Sequence, residues 1–272
     1  MSDLPLARRP IGIYDSGVGG LSVLRDIRTR LAADTLIYVA DAGYVPYGEK
    51  SRHAIVARAI ALADFFVSQD VKAIAVPCNT ATAAAINVLR ERHPDLPIVG
   101  IEPAIKPAAK LTRSQVIGVM ATTGTLASPR FRALVQREAP HARIVLQPCP
   151  SWVLAVEQGM VSGAQAEALV APAVDAVLAE GADVLVLGCT HFPFLREAIA
   201  ARAGADVPIL ETGDAVARQL QRVLQECGAE RQDDAPGTTR FVTSGDPDAL
   251  ARVASRLLGV PVTADVLPAA YR

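Results

Sequence analysis

Cysteine and histidine are both scarce in this 272-residue chain, with four of each. Cys78, Cys149, Cys189 and Cys227 are too few for a disulfide scaffold, and no pair has the CxxC spacing of zinc or redox sites. No HExxH motif is present, so zincin-type chemistry is not indicated. Aromatic residues number 12, which weakens any reading built on stacked bases. Twenty-seven Lys and Arg against 28 Asp and Glu give a net charge of -1, so there is no bulk basic field for nucleic acid. No stretch approaches the roughly 18 uncharged apolar residues of a membrane helix. Met1 to Pro10 carries an acid, two prolines and the Arg8-Arg9 pair, without an apolar run of signal-peptide length. The expectation is a soluble cytoplasmic protein with no membrane or nucleic-acid partner.

Apolar residues make up 51% of the chain and charged residues 20%, enough for a substantial core. Short β-branched runs alternate with Ala-rich helical segments. Strands are predicted at 11–14, 36–39, 73–76, 98–101, 116–120, 143–146, 184–187 and 240–243. Helices are predicted at 21–31, 51–68, 80–92, 129–139, 165–179, 193–201 and 215–227. Several strands are apolar throughout, as expected when both faces of a parallel sheet are covered. The fold class is therefore α/β. Pro172 should break or kink its helix. The polar stretch from Gly228 to Thr239 reads as a surface loop.

An internal repeat is more informative. Lys72-Ala-Ile-Ala-Val-Pro-Cys78-Asn-Thr80 resembles Asp183-Val-Leu-Val-Leu-Gly-Cys189-Thr190. Nineteen residues after each cysteine comes a Pro-Ile pair, Pro97-Ile98 and Pro208-Ile209. Upstream, Ile11-Gly12-Ile13 and Ile117-Gly118-Val119 both enter Gly/Ser/Thr-rich turns. These ordered landmarks imply two related units, each presenting a cysteine where a strand ends and a helix begins.

Ligands of open α/β sheets bind outside the carboxyl ends of the strands. A cysteine there, at a helix N-terminus, is expected to have a lowered pKa. Asn79, Thr80 and Thr190 are helix-capping residue types. Two thiols facing one carbon from opposite sides are what stereochemical inversion requires. A cysteine hydrolase would leave the second cysteine without a role. The turn Asp15-Ser16-Gly17-Val18-Gly19-Gly20 fails the GxGxxG test, so a dinucleotide site is poorly supported. Its glycines still permit an anion to approach the backbone closely. Asp15 reads either as a proton-transfer or ammonium-binding carboxylate or as a turn cap.

The chain resembles glutamate racemase, of the aspartate/glutamate racemase family, over about residues 10 to 265. The resemblance rests on Asp15-Ser16-Gly17-Val18-Gly19-Gly20-Leu21-Ser22, Pro46-Tyr47-Gly48, Cys78-Asn79-Thr80-Ala81, Ala121-Thr122-Thr123-Gly124-Thr125, Glu157 and Cys189-Thr190-His191-Phe192-Pro193. His191 stands where aspartate racemases usually have Glu. Ile13-Tyr14 replaces the commoner Val-Phe.

The resemblance implies two similar doubly wound parallel-sheet domains related by pseudo-symmetry, with the active site in the cleft between them. It puts 1–97 with 211–272 in the first domain and 98–210 in the second. It implies interconversion of L- and D-glutamate without a cofactor, supplying D-glutamate for peptidoglycan. Cys78 and Cys189 would be the acid/base pair, with Asp15, Glu157 and His191 tuning them. Asp15, Ser16, Tyr47, Gly48, Asn79, Thr80, Thr122, Thr125, Thr190 and His191 would hold or line the substrate. No metal is implied, and a homodimer is compatible with the sequence.

Plainer roles exist for some of these residues. Glu157 reads equally as an exposed acid on a helix, and Tyr47 as a ring packed in a turn. Cys149 and Cys227 are assigned no chemistry, and Arg residues on the Ala-rich helices are read as solvated faces. Three other functions are carried beside the first: an aspartate racemase, a cysteine hydrolase and a non-enzymatic amino-acid-binding protein.

Overall fold

Ile11–Asp15 (β1), Leu36–Ala40 (β2) and Ala73–Val76 (β3) are buried along their whole lengths, so the sheet they form is covered on both faces. The structure is a computed structural model and describes residues 4–231, 233 and 235–272. In chain order, Leu21–Arg30 (α1), Arg52–Ser68 (α2) and Asn79–Arg92 (α3) separate these strands from one another and from Ile98–Gly100 (β4).

A second unit follows: Ile105–Leu111 (α4), Val116–Ala121 (β5), Thr123–Ala127 (α5), Pro129–Glu138 (α6), Arg143–Pro148 (β6), Pro150–Glu157 (α7), Gly163–Ala179 (α8), Val184–Leu187 (β7), Arg196–Ala203 (α9) and Ile209–Leu210 (β8). The chain then returns through Gly213–Glu226 (α10), Thr239–Thr243 (β9), Pro247–Leu258 (α11) and Ala264–Val266 (β10).

The first sheet runs β10-β9-β2-β1-β3-β4 and the second β6-β5-β7-β8. Every strand pairing is parallel. β5, β6, β7 and β8 occupy the places that β1, β2, β3 and β4 hold in the first unit. The repeat landmarks are thus equivalent positions. Ile11 and Ile117 lie in the central strands, Ile98 and Ile209 open the fourth, and the cysteines follow the third strands β3 and β7. Those carboxyl ends flank the point where strand order reverses, the usual place for a ligand.

The expected border at 97/98 needs correction. β4 pairs with β3 in parallel register, Ile74 opposite Ile98, so Ile98–Gly100 belong to the first sheet. The Pro-Ile landmark already equated β4 with β8. Two further expectations change, and the expected loop at 228–239 stands where it is described. α8 runs unbroken through Pro172, whose neighbours Val170, Ala173 and Val174 are buried against the second sheet's core. α4, α7, α11 and β10 lie in segments given no element. Of the 228–239 loop, residues 232 and 234 lie outside the described set, and the rest has no helix or strand before β9.

One apolar cluster runs through both units, joining Ile13, Leu21 and Ile27 to Trp152, Val174, Leu187 and Phe192. It carries one face of each sheet. The opposite faces are covered separately, by α2 and α3 on the first sheet and by α4 and α6 on the second. α10 is amphipathic, burying Val216, Ala217, Leu220 and Leu224 while Arg218 and Arg222 reach solvent. It packs on α1 and so binds the returning chain to the first unit.

Candidate active site

Cys78 is itself the N-cap of α3. Its backbone is extended (φ -125°, ψ 113°) and its Sγ accepts the Ala81 N–H at 3.4 Å. Asn79 and Thr80, expected as caps, are instead the first two residues of the helix. Their side chains are thereby free to face the cleft.

The expected lowering of the Cys78 pKa does not occur. Burial, followed by the Asp15 charge, pushes the thiol well above its usual range. The Ala81 and Ser16 N–H groups favour thiolate but are outweighed. Cys78 is thus held as a thiol, its Sγ 3.9 Å from the Ser16 hydroxyl.

The second unit solves the same problem differently. Cys189 is followed by Thr190, His191 and a single 3-10 turn, Phe192–Leu195, and α9 starts only at Arg196. There is no long helix opening on this sulfur. In its place the His191 Nδ1 lies 3.6 Å from Cys189 Sγ, while Nε2 lies 2.6 Å from Glu157 Oε1. Burial opposes charge on this imidazole, but Cys189 and Glu157 together hold its pKa well above the usual histidine value. The His191 ring thus bridges the Glu157 carboxylate and the Cys189 sulfur.

The glycine-rich turn after β1 takes its meaning from this arrangement. A Cβ on Gly17 would sit 1.9 Å from Glu157 Oε1, and one on Gly19 would sit 2.3 Å from His191 Nδ1. The anion that approaches the backbone is a carboxylate of the chain itself. Glu157 Oε1 accepts the Val18 N–H at 2.8 Å. Glu157 ends α7 in the second unit, so its carboxylate joins the two units as well as orienting His191.

Asp15 joins them on the other side. Its Oδ1 accepts the Ser16 N–H at 2.6 Å, and its Oδ2 accepts the Thr190 hydroxyl at 2.8 Å. Burial raises its pKa despite the His191 charge and these hydrogen bonds. A third link is a hydroxyl triangle. Thr80 Oγ1 stands 2.9 Å from Thr122 Oγ1 and 3.2 Å from Thr125 Oγ1.

Between these groups lies a cavity of about 20 Å³ walled by Ser16, Tyr47, Gly48, Cys78, Asn79, Thr80, Thr122, Cys189, Thr190 and His191, with Pro46 and Val153. Asp15, Glu157 and Thr125 stand one hydrogen bond behind that wall. Every residue singled out from the sequence is therefore at the wall or directly behind it. Both cysteines face the same space, each with its own proton partner.

Residues 11–220 match the model of the Asp/Glu/hydantoin racemase family. The chain belongs to that family. It is 48% identical over 259 residues to the glutamate racemase of Stutzerimonas stutzeri, spanning 95% of this chain and 97% of the relative. A glutamate racemase isoform of Bacillus anthracis superposes with a TM-score of 0.86 at 30% identity, covering 97% of this chain and 98% of that one. The Francisella tularensis glutamate racemase, solved in complex with D-glutamate, gives 0.84 at 28%, with the same coverage.

Within this racemase fold, Tyr47 departs from the simplest expectation. Tyr47 lines the cavity, but its hydroxyl is committed as a donor to Asp41. Asp41 also accepts a two-pronged contact from Arg58, 3.0 Å from Nε and 2.8 Å from Nη2. Arg58 lies over the Tyr44 ring and reaches the Tyr271 carbonyl at 2.9 Å.

Sequence reasoning missed Asp41 and misread Arg58 as solvated. The signal was present: Arg58 shares a helical stripe with Ile55, Ala59 and Leu62, all buried. Of the other thiols, Cys149 is buried and pushed up to about 12, chiefly by burial, and Cys227 is exposed. A larger cavity, about 670 Å³, lies over α3, α5 and α6 and shares only Thr80 with the wall of the smaller one. It is an open groove, whereas the smaller space is the one both cysteines line.

Proposed function

We propose that this racemase-family chain interconverts L- and D-glutamate by two-base proton transfer between Cys78 and Cys189, using side chains alone. The observation that carries the reading is the pair of buried cysteines that follow equivalent strands and wall one cavity. Burial and the Asp15 charge hold Cys78 as a thiol, and the Cys189 sulfur lies 3.6 Å from the His191 ring.

In one direction the Cys189 thiolate removes the α-proton of the substrate, breaking its Cα–H bond. The Cys78 S–H then delivers a different proton to the opposite face of that carbon. Cys189 leaves the turnover as thiol and Cys78 as thiolate. Exchange with solvent through the neighbouring acids restores the starting state, and the reverse reaction runs from the other pairing. The carbanionic intermediate needs donors fixed in place with water excluded. Thr80, Asn79 and Thr190, buried and facing the cavity, are suited to hold the carboxylates.

Glutamate is favoured over aspartate by the relatives named above and by His191 beside the second cysteine. D-Glutamate produced in this way serves peptidoglycan synthesis, in the cytoplasm. No helix among the described residues is long and apolar enough to cross a membrane. The direct test is optical rotation of L-glutamate, and separately of L-aspartate, incubated with the purified chain and no added cofactor. Rotation should decay to zero for glutamate alone. Decay only with aspartate would reassign the substrate, and a stable adduct on one cysteine with no decay would make the chain a hydrolase.

A further inference from the structure

Three buried tyrosines, Tyr14, Tyr38 and Tyr47, belong with Cys78 to the first unit. Tyr38, on β2, donates its hydroxyl to the Gly17 carbonyl at 2.7 Å. Tyr47 donates to Asp41. Tyr14, on β1, is fully buried, and its hydroxyl has no hydrogen-bond partner among the described residues. It stands one residue before Asp15, on the opposite face of β1 from Ile13, and shares an apolar cluster with Cys78, Val76 and Tyr47. Its ring packs at 6.4 Å from that of Phe66.

A buried hydroxyl without a partner costs stability, and phenylalanine would fill the same space without that cost. The fixed surroundings are charged. Burial, with the negative charge of Cys78 whenever it ionises and that of Asp41 and Asp15, keeps the phenol protonated far above its usual range. Arg58 does not offset this for Tyr14, since its guanidinium is engaged by Asp41 and the Tyr271 carbonyl. The oxygen is thus a permanent O–H donor in a field that strengthens whenever Cys78 ionises.

We propose that Tyr14 is a positioning residue for the reaction: its hydroxyl turns to the Cys78 sulfur when that sulfur is a thiolate and stabilises it there. The role answers an asymmetry in the site. Cys189 has His191 as a cationic partner, whereas Cys78 faces Asp15, a like charge, with only N–H groups and the Ser16 hydroxyl to relieve it. Tyr14 is an uncommitted buried donor in the same apolar cluster as Cys78 and can supply the missing support.

This rests on Cys78 being a proton carrier, and the test reads the thiol directly, so the two ideas fail separately. Tyr14→Phe keeps the ring and its packing on Phe66. Iodoacetamide modification of the Cys78 and Cys189 peptides, followed by mass spectrometry from neutral to alkaline pH, gives a midpoint for each sulfur. In the variant the Cys78 midpoint should rise, slowing its modification at least about threefold at a fixed pH below it. The Cys189 midpoint should stay in place, and kcat should fall in proportion. An unchanged Cys78 midpoint, whatever the melting temperature does, overturns the proposal. Absence of racemisation by the unaltered chain, with the midpoint still shifted, would instead overturn the functional reading and leave the Tyr14 contact standing.

Discussion

Glu157 and His191 meet at 2.6 Å within the second unit, and the same carboxylate oxygen reaches across to the first unit to accept the Val18 N–H at 2.8 Å. One acid therefore orients the imidazole beside Cys189 and fixes the turn that leads into the Cys78 half of the site. The electrostatics of the second thiol depend on a residue that never reaches the cavity wall.

Removing that charge has a defined sign. With Glu157 present, His191 has a folded pKa above its unfolded value. Its charge contributes stability fully below the unfolded pKa of roughly 6.5, and that contribution is lost as pH rises through the raised folded pKa. Glu157→Gln lowers the folded pKa, so the alkaline limb of kcat/KM should move to lower pH, with a loss of roughly tenfold or more near neutrality. A pH–rate profile checks this. An unmoved alkaline limb would detach His191 from the titration.

The glycine turn offers a steric version of the same test. Gly17→Ala puts a methyl group into the space of the Glu157 carboxylate, and such overpacking costs about 1–3 kcal/mol. Its pH profile should resemble that of Glu157→Gln. In a double-mutant cycle with Glu157→Ala, measured by urea unfolding, the two effects should be less than additive, because the second change empties the space the first invades.

Asp15 is buried as a carboxylate with its pKa raised, so it destabilises the fold at neutral pH and is relieved as pH falls. Asp15→Asn should raise the melting temperature by about 2 °C at pH 7 and lose that advantage in acid. Racemisation should fall by on the order of a hundredfold. A variant both less stable and less active would show Asp15 to be chiefly a structural acceptor for Ser16 and Thr190.

Differential alkylation tests the resting protonation states. Near neutral pH, iodoacetamide should label Cys189 well ahead of Cys78, because Cys78 is held as thiol and Cys189 has a cationic partner. Equal labelling would remove the asymmetry. Cys78→Ala and Cys189→Ala should each lower turnover by about a thousandfold or more.

The sequence carried some features of this site far better than others. Strand–cysteine units were legible because a β-strand buried on both faces is written as an uninterrupted apolar run, and the repeat put Cys78 and Cys189 at equivalent ends. The cap of α3 was misjudged because Asn79 and Thr80 are better capping types than cysteine, yet the backbone turns at Cys78. The helix expected directly after Cys189 was displaced by a Phe192-Pro193 turn, so its electrostatic role passed to His191.

Glu157 could not be placed from its neighbours, since its partners His191 and Val18 lie 34 and 139 residues away. The border near 98 failed for want of sheet context, because a three-residue strand can join either unit. β10 was invisible because its residues are mostly exposed and carry no apolar run.

The central claim is that two different protons serve the two faces of the substrate carbon. Nuclear magnetic resonance of L-glutamate turned over in deuterated water, sampled before equilibrium, tests it most directly. The account predicts deuterium at the α-carbon of nearly all D-glutamate formed while the remaining L-glutamate still carries protium. D-Glutamate that retains the substrate's own proton would contradict it.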